Sequence, residues 1–237
     1  MPIYPMPLVR VEIALQTLID SQLCTLLIRR EEAPYKDRWA LPGGVVRVDR
    51  DPTLDACAER VSRERLGVIP PSLRQLCAVG ASGRDPRGPS EWGVSIVYRS
   101  LIQSDSLPIE GGKRVKGFRW VPVDHPLRDD QIAFDHQRLI AHAAALTRAE
   151  FTALEFLPGL VPRQFTLTEL QSLCEAVLGE RLDKSSFRRK LAARELVKPV
   201  PGAFTQGVRY RPAAVYELTA TREPLHAVNA TAITPRA

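Results

Sequence analysis

The stretch that most constrains this chain runs from Gly43 to Val68, GGVVRVDRDPTLDACAERVSRERLGV. A glycine pair follows the run that begins at Trp39, then come Asp49, Asp51 and Asp55, and a short helical segment closes at Gly67. Glycine tolerates positive φ and lets the backbone approach a ligand closely. The spacing predicts a helix over Thr53–Leu66 with Gly67 as its stop. A glycine turn feeding a short charged helix is an arrangement for holding a ligand against backbone.

The flanks read as a sheet. Val9, Val11, Ile13 and Leu15 put apolar residues at every second position, the period of a half-buried strand ending near Ile19. Asp20–Gln22 is a turn signal, and Leu23–Ile28 is the returning strand of a hairpin. Glu31–Arg38 reads as a polar loop, and Leu73–Gly80, Trp92–Ile102 and Phe118–Val123 as further strands. ASGRDPRGPSE, between two of them, is a long Gly- and Pro-containing loop of the kind that carries function. Leu139, Ile140, Ala143 and Leu146 predict a helix over Ile132–Arg148. Strands interleaved with helices predict a mixed α/β layer structure for residues 1–150.

The second half differs. Phe151–Pro162 reads as a connector, punctuated by Pro158, Gly159 and Pro162. Thr166 and Glu169 form a capping box that starts a helix at Leu167, and Gly179 ends it. Asp183 caps a second helix from Lys184 to about Arg194, pinned to a core by Phe187 and Leu191. Its outward stripe is Ser185, Arg188, Arg189 and Ala192, flanked by Lys184, Ser186 and Lys190. Val197–Tyr216 fits a β-hairpin with Arg209 and Arg211 on one side, where they would reach phosphates. Two short helices, the second basic, followed by a hairpin are the plan of a winged helix-turn-helix over residues 151–218. The alternative is a solvated basic helix on an accessory domain. The tail, 219–237, has few large apolar residues and is expected to be disordered.

Charge follows the same division. Nine basic residues face two acidic ones between Arg181 and Arg211, within a chain of net charge +6. This density admits nucleic acid as a partner. Cys24, Cys57, Cys77 and Cys174 lie far apart and read as reduced core thiols, not a metal site or disulfide framework. No apolar run approaches the roughly 20 residues of a membrane span, and MPIYPMP lacks the features of a signal peptide, so a cytoplasmic protein with no membrane partner is expected. His136 is expected to cap or hydrogen-bond in a buried place rather than act as a base, and Trp39 to stand in the core or a cleft wall.

Gly43–Val68 resembles the Nudix box, the signature of enzymes that hydrolyse nucleoside diphosphates linked to another group. Aligned on Gly67, the helix positions that carry the box's carboxylates are 61, 64 and 65, spaced so that they share one helix face. In active relatives that face holds divalent metals, which bind pyrophosphate and activate water. Here it carries Val61, Glu64 and Arg65. One carboxylate beside a guanidinium is a poor magnesium site, so neither catalytic nor metal-binding residues are expected.

Nearly the whole chain resembles the Nudix-related transcriptional regulators. The resemblance is carried by LPGGVVRVD, GRDPRG at 83–88, AFDHQRLI at 133–140, FTLTELQSLCEAVLG with LDKSSFRRKL, and RYRPAAVYEL. It implies a Nudix-like mixed-sheet α/β/α sandwich followed by a winged helix-turn-helix. It also implies a homodimer on a palindromic double-stranded DNA operator, repressing NAD metabolism genes and sensing ADP-ribose or a related nucleotide. The implied effector site comprises Arg38, Gly43, Gly44, Arg60, Glu64 and Arg65, with Arg84, Asp85 and Arg87 from the loop beside the cleft. The implied recognition helix offers Lys184, Ser185, Ser186, Arg188, Arg189 and Lys190. Two rivals stand beside this reading: an active hydrolase of ADP-ribose or a similar dinucleotide, and a regulator of another pathway with a sugar-phosphate or nucleotide effector.

Overall fold

The computed structural model describes residues 6–88, 91–104, 108–109, 112–125, 127–204 and 212–219. Strands β1 (Leu8–Ile19) and β2 (Gln22–Arg30) form a hairpin in which Ile19 pairs with Gln22. The two turn residues, Asp20 and Ser21, both have positive φ, the backbone that matches strand twist in the tightest hairpins. The strands pair only over Gln16–Ile19 and then part. Into the fork go β3 (Trp39–Ala40), antiparallel to β2, and β4 (Gly43–Val45), antiparallel to β1. β6 (Trp92–Leu101) runs parallel to β1 on its other side, β5 (Arg74–Ser82) pairs with β6, and β7 (Val115–Pro122) pairs with β2. The fork is what places the glycine pair beside the first helix.

One helix covers each face. Val11, Ile13 and Leu15 pack with Cys57, Ala58 and Val61 of α1 (Leu54–Leu66). On the opposite face Ala14 and Leu27 pack with Leu139, Ile140 and Ala143 of α2 (His136–Thr152). The α/β/α sandwich is therefore as expected, but β1 is not half-buried. Its alternate residues Arg10, Glu12 and Gln16 are 6%, 1% and 0% exposed, because α2 and the cleft cover the second face. Polar residues in a period-2 pattern normally mark a wet face; here they mark a buried polar layer. Thr53 caps α1 by accepting the amide N–H of Ala56, and Gly67 closes it at φ 77°.

Two expectations need correction. The second helix begins at His136, not Ile132: Ile132 bridges to Trp39, and Phe134 takes φ 55°, which no helix accommodates. It also runs on to Thr152, so Phe151 lies in it and not in a connector. Leu154, Phe156, Leu157, Leu160 and Val161 of the expected connector are buried. Proline and glycine there set the local backbone without deciding burial. Gly159, at φ 112°, lies so close to β6 that a Cβ would stand 2.0 Å from the Leu101 carbonyl oxygen.

The C-terminal part has α3 (Leu167–Leu178), α4 (Lys184–Ala193) and a hairpin of β8 (Val197–Phe204) and β9 (Ala214–Leu218). The capping box of α3 is formed: Glu169 N–H donates to the Thr166 hydroxyl at 3.1 Å, and Thr166 N–H donates to the Glu169 carboxylate at 2.7 Å. Asp183 caps α4 through Ser186 N–H at 2.7 Å. Such a cap stabilises its helix by about 1 kcal/mol. Phe187 and Leu191 meet Leu170, Cys174 and Val177 in an apolar cluster that also holds Phe151 and Leu154. Arg209 and Arg211, and the tail from 220, lie outside the described residues. Among the described residues no helix is long and apolar enough to cross a membrane.

Candidate nucleotide cleft and basic helix

A cleft of about 230 Å³ opens where the fork, the last turns of α1 and the segment after β2 meet. Seven arginines line it, Arg10, Arg30, Arg47, Arg60, Arg65, Arg87 and Arg114, against the carboxylates Glu31, Glu32 and Glu64. The glycine pair is needed for packing as much as for turning. A Cβ on Gly43 would sit 1.7 Å from Glu12 Oε2, and one on Gly44 2.8 Å from a methyl of Val61.

Arg60 is the hub. Its Nε and Nη2 donate to the two Asp51 carboxylate oxygens at 2.6 and 2.7 Å, Nη2 also reaches the Val45 carbonyl at 2.9 Å, and Nη1 donates to Glu64 at 3.2 Å. Asp51 further accepts Arg47 N–H at 2.7 Å. The Arg60 hydrogen bond, opposed by burial and helped by this amide, holds the Asp51 carboxyl well below the usual range. Glu64 is met from its other side by Arg47 Nη1 at 3.5 Å. Val61, 1% exposed, lies in the core beneath Gly44. Positions 61, 64 and 65 thus do not share a cleft-facing surface as the spacing implied; three residues spread over an arc, and the sheet takes the end occupied by valine.

A divalent ion does not fit this donor set. Magnesium needs several oxygen ligands; Asp51 and Glu64 are both bonded to the Arg60 guanidinium, and Glu32 at the cleft is paired with Arg114. Among the described residues no three His, Cys, Asp or Glu side chains converge to hold a metal. Arg65 stands where a further carboxylate would be needed. It donates Nε to the Gly43 carbonyl at 3.0 Å and Nη1 to the Lys113 carbonyl at 2.5 Å. Burial, then Arg10 and Arg114, depress its pKa. Arg30 is pushed down to about 10 by burial and by Arg87 and Arg10. Depressed guanidinium pKa values mean that these cations repel one another in partial burial, a cost that a bound anion would relieve.

Of the effector residues expected from sequence, Gly43, Gly44, Arg60, Glu64, Arg65 and Arg87 line the cleft. Arg38, Arg84 and Asp85 do not. Arg38 lies over the Tyr35 ring and reaches Asp129 O at 3.5 Å. Arg84 is held in a two-pronged pair with Asp135 at 2.8 Å and bonds Ser95. Asp85 is buried and anchors Arg87, at 2.8 Å to Nε, so it acts on the cleft at one remove. Sequence reasoning missed Arg10, Arg30, Arg47 and Arg114. The signal for Arg10 was a charge inside an apolar alternation, and for Arg30 the run RREE where β2 ends. Arg114 gave none.

His136 is 2% exposed and accepts Leu41 N–H at Nδ1, 2.9 Å away. Burial lowers its pKa to about 4, so it is a neutral acceptor that ties α2 to the loop before the glycine pair. Trp39 packs against the core under α2 and does not line the cleft. Cys24, Cys57 and Cys174 are buried, and burial pushes the Cys57 and Cys174 thiols up to about 12, which makes them unreactive. On α4, Lys184, Ser185, Arg189, Lys190 and Ala192 are exposed. Arg188 and Ser186 are half-buried, Arg188 leaning toward Thr168 of α3 at 3.4 Å.

Comparison with known proteins matches two domains in the chain. Residues 11–143 match the NUDIX domain and residues 159–218 the NrtR DNA-binding winged helix domain. The chain is 37% identical over 215 residues to the ADPR responsive transcriptional repressor NtrR of Acinetobacter baylyi, covering 90% of this chain and 82% of that protein. The Shewanella oneidensis NrtR structure complexed with a 27mer DNA superposes with a TM-score of 0.67 at 31% identity, over 89% of this chain and 93% of that one. The NUDIX domain of the same protein, complexed with ADP ribose, superposes with a TM-score of 0.52 at 33% identity, over 60% of this chain and 90% of that one.

Proposed function

This chain belongs to the NrtR family, in which a Nudix domain is joined to a DNA-binding winged helix, and we propose that it is a cytoplasmic, homodimeric repressor of NAD metabolism genes that senses ADP-ribose or a related nucleotide without hydrolysing it. The observation that carries this reading is the chemistry of the cleft. Its arginines offer charge for a diphosphate, while Asp51 and Glu64 are held by Arg60 and Arg65 is bonded to the Gly43 carbonyl. A diphosphate would be gripped by forked guanidinium donors in place of a metal ion. The sensor occupies residues 1–150 and the DNA-binding unit 151–218. Lys184, Ser185, Arg189 and Lys190 face the operator, with Arg188 and Ser186 at the edge of the contact and Arg209 and Arg211 on phosphates from the hairpin. Two half-sites related by the dimer axis make the operator palindromic, and the effector acts by changing the fit of the two winged helices to them.

Calorimetric titration with ADP-ribose, with and without magnesium, tests the sensor. Binding that does not require the metal, with no release of AMP, is expected; magnesium-dependent hydrolysis at ordinary enzyme rates would refute the reading. A gel shift on the chain's own promoter DNA tests the other half. Arg189→Ala is expected to weaken binding strongly and to lessen its salt dependence. An unchanged shift would remove α4 from the interface.

A further inference from the structure

We propose that Arg65 is a positioning residue, a metal-free clamp that holds the Gly112–Arg114 segment onto the end of α1 and thereby sets Arg114 at the cleft; this rests on the effector reading above. The geometry is reciprocal. Glu64 lies in the last turn of α1, where backbone carbonyls lack helical partners. Lys113 N–H supplies one, donating to Glu64 O at 2.8 Å. Arg65 Nη1 returns a bond to Lys113 O at 2.5 Å, while its Nε holds Gly43 O at 3.0 Å. One side chain thus cross-links segments 22 and 48 residues away in sequence.

Gly112 shows how closely the segment lies on the helix. A Cβ there would stand 2.0 Å from Glu64 O and 2.7 Å from its carbonyl carbon. Arg114, the next residue but one, lines the cleft and pairs with Glu32 across its mouth at 3.3 Å. Joining oxygens from separate segments is work that a bridging cation does elsewhere. A guanidinium does it here with donors in a fixed fork. The rival role, Arg65 as a direct phosphate ligand, makes different predictions.

The test is a double-mutant cycle read by calorimetric titration of ADP-ribose without magnesium. If Arg65 acts by placing Arg114, Arg65→Ala and Arg114→Ala each weaken binding about tenfold, and the double variant is no weaker than the worse single by more than about threefold. Arg65→Lys keeps the charge but cannot hold both carbonyls, so it should behave like Arg65→Ala. Gly112→Ala, with Arg65 intact, should weaken binding as Arg114→Ala does. Independent losses that multiply in the double variant, or Arg65→Lys with wild-type affinity, would overturn the clamp in favour of direct contact. Hydrogen exchange of the Lys113 amide in the ligand-free protein tests the clamp whether or not ADP-ribose binds. It should speed up about tenfold in Arg65→Ala and Arg65→Lys, which corresponds to loss of one hydrogen bond; unchanged exchange sinks the proposal. Wild-type protein that ignores ADP-ribose but shows the exchange effect would refute the effector reading and leave the clamp standing.

Discussion

Replacing Arg60 by alanine should destabilise the protein by about 3 kcal/mol, the low end of what breaking a buried ion pair costs. The structure sets that figure. The Asp51 side chain is 1% exposed and that of Arg60 14%, so neither charge has much water to fall back on. Truncation strips Asp51 of two bonds, at 2.6 and 2.7 Å, and leaves it the Arg47 amide at 2.7 Å. Asp51 also keeps its hydrogen bond with the Cys57 side chain, and these two remaining partners place the cost low in the range. At this chain length, about 3 kcal/mol lowers Tm by roughly 6 to 12 °C, measurable by circular dichroism. The effect has a pH signature. Asp51 titrates in the folded protein below its unfolded value of about 3.9, so its contribution is complete above that pH and is lost as pH falls through the folded value. In Arg60→Ala, burial without the guanidinium raises the carboxyl's pKa. The gap in Tm between wild type and variant should therefore be wider at pH 7 than at pH 4. Adding Asp51→Asn to Arg60→Ala should recover part of the loss, because the uncompensated charge is gone. A drop below about 1 kcal/mol, or an equal gap at both pH values, would refute the hub.

Two further outcomes concern the glycine pair and the loop before it. His136 has a folded pKa of about 4, below the ordinary histidine value, so the unfolded chain takes up its proton first as pH falls. Stability from this residue is complete above about pH 6.5 and declines toward pH 4 by about 3 kcal/mol; Tm followed against pH should show a slope that His136→Gln flattens, and an unaltered slope would assign the decline to other groups. Gly43→Ala would drive a Cβ into Glu12, whose Oε1 is held by Arg10 at 2.8 Å. It should cost about 1–3 kcal/mol as an overpacking change and weaken ADP-ribose binding, which calorimetry would show; wild-type binding would mean that the fork yields there.

What was legible in the sequence was what is encoded locally. Thr53, Gly67, Thr166 with Glu169, Gly179 and Asp183 all sit at helix ends as read, since a cap depends on residues within one turn. The fork in the sheet was not legible, because the parting of β1 from β2 depends on β3 and β4 arriving later in the chain. For the same reason the burial of Arg10 and Glu12 was not legible: β4 and α2, which meet this part of β1, come later in the chain. The start of α2 was misplaced because Phe134 in a left-handed conformation is a tertiary outcome that no propensity encodes. Arg65 stood out in the sequence as a foreign charge, but its partners are backbone carbonyls, which carry no residue identity to read. GRDPRG brings only Arg87 to the cleft and uses Arg84 and Asp85 as anchors.

The course of α2 bears on how far this protein can be treated as two interchangeable parts. The helix starts with a bond to the loop before the glycine pair and ends inside the apolar cluster of the winged helix, with Phe151 beside Leu170, Cys174 and Phe187. Arg148 Nε donates to Val177 O at 3.1 Å, and Arg194 donates to Ala153 O at 2.8 Å. A chimera spliced at residue 159, where the matched winged helix begins, would graft a foreign domain onto a socket shaped by Phe151, Leu154, Phe156 and Leu157. Lineages that exchange one reader of DNA for another have to exchange the end of α2 with it, or repack what it covers.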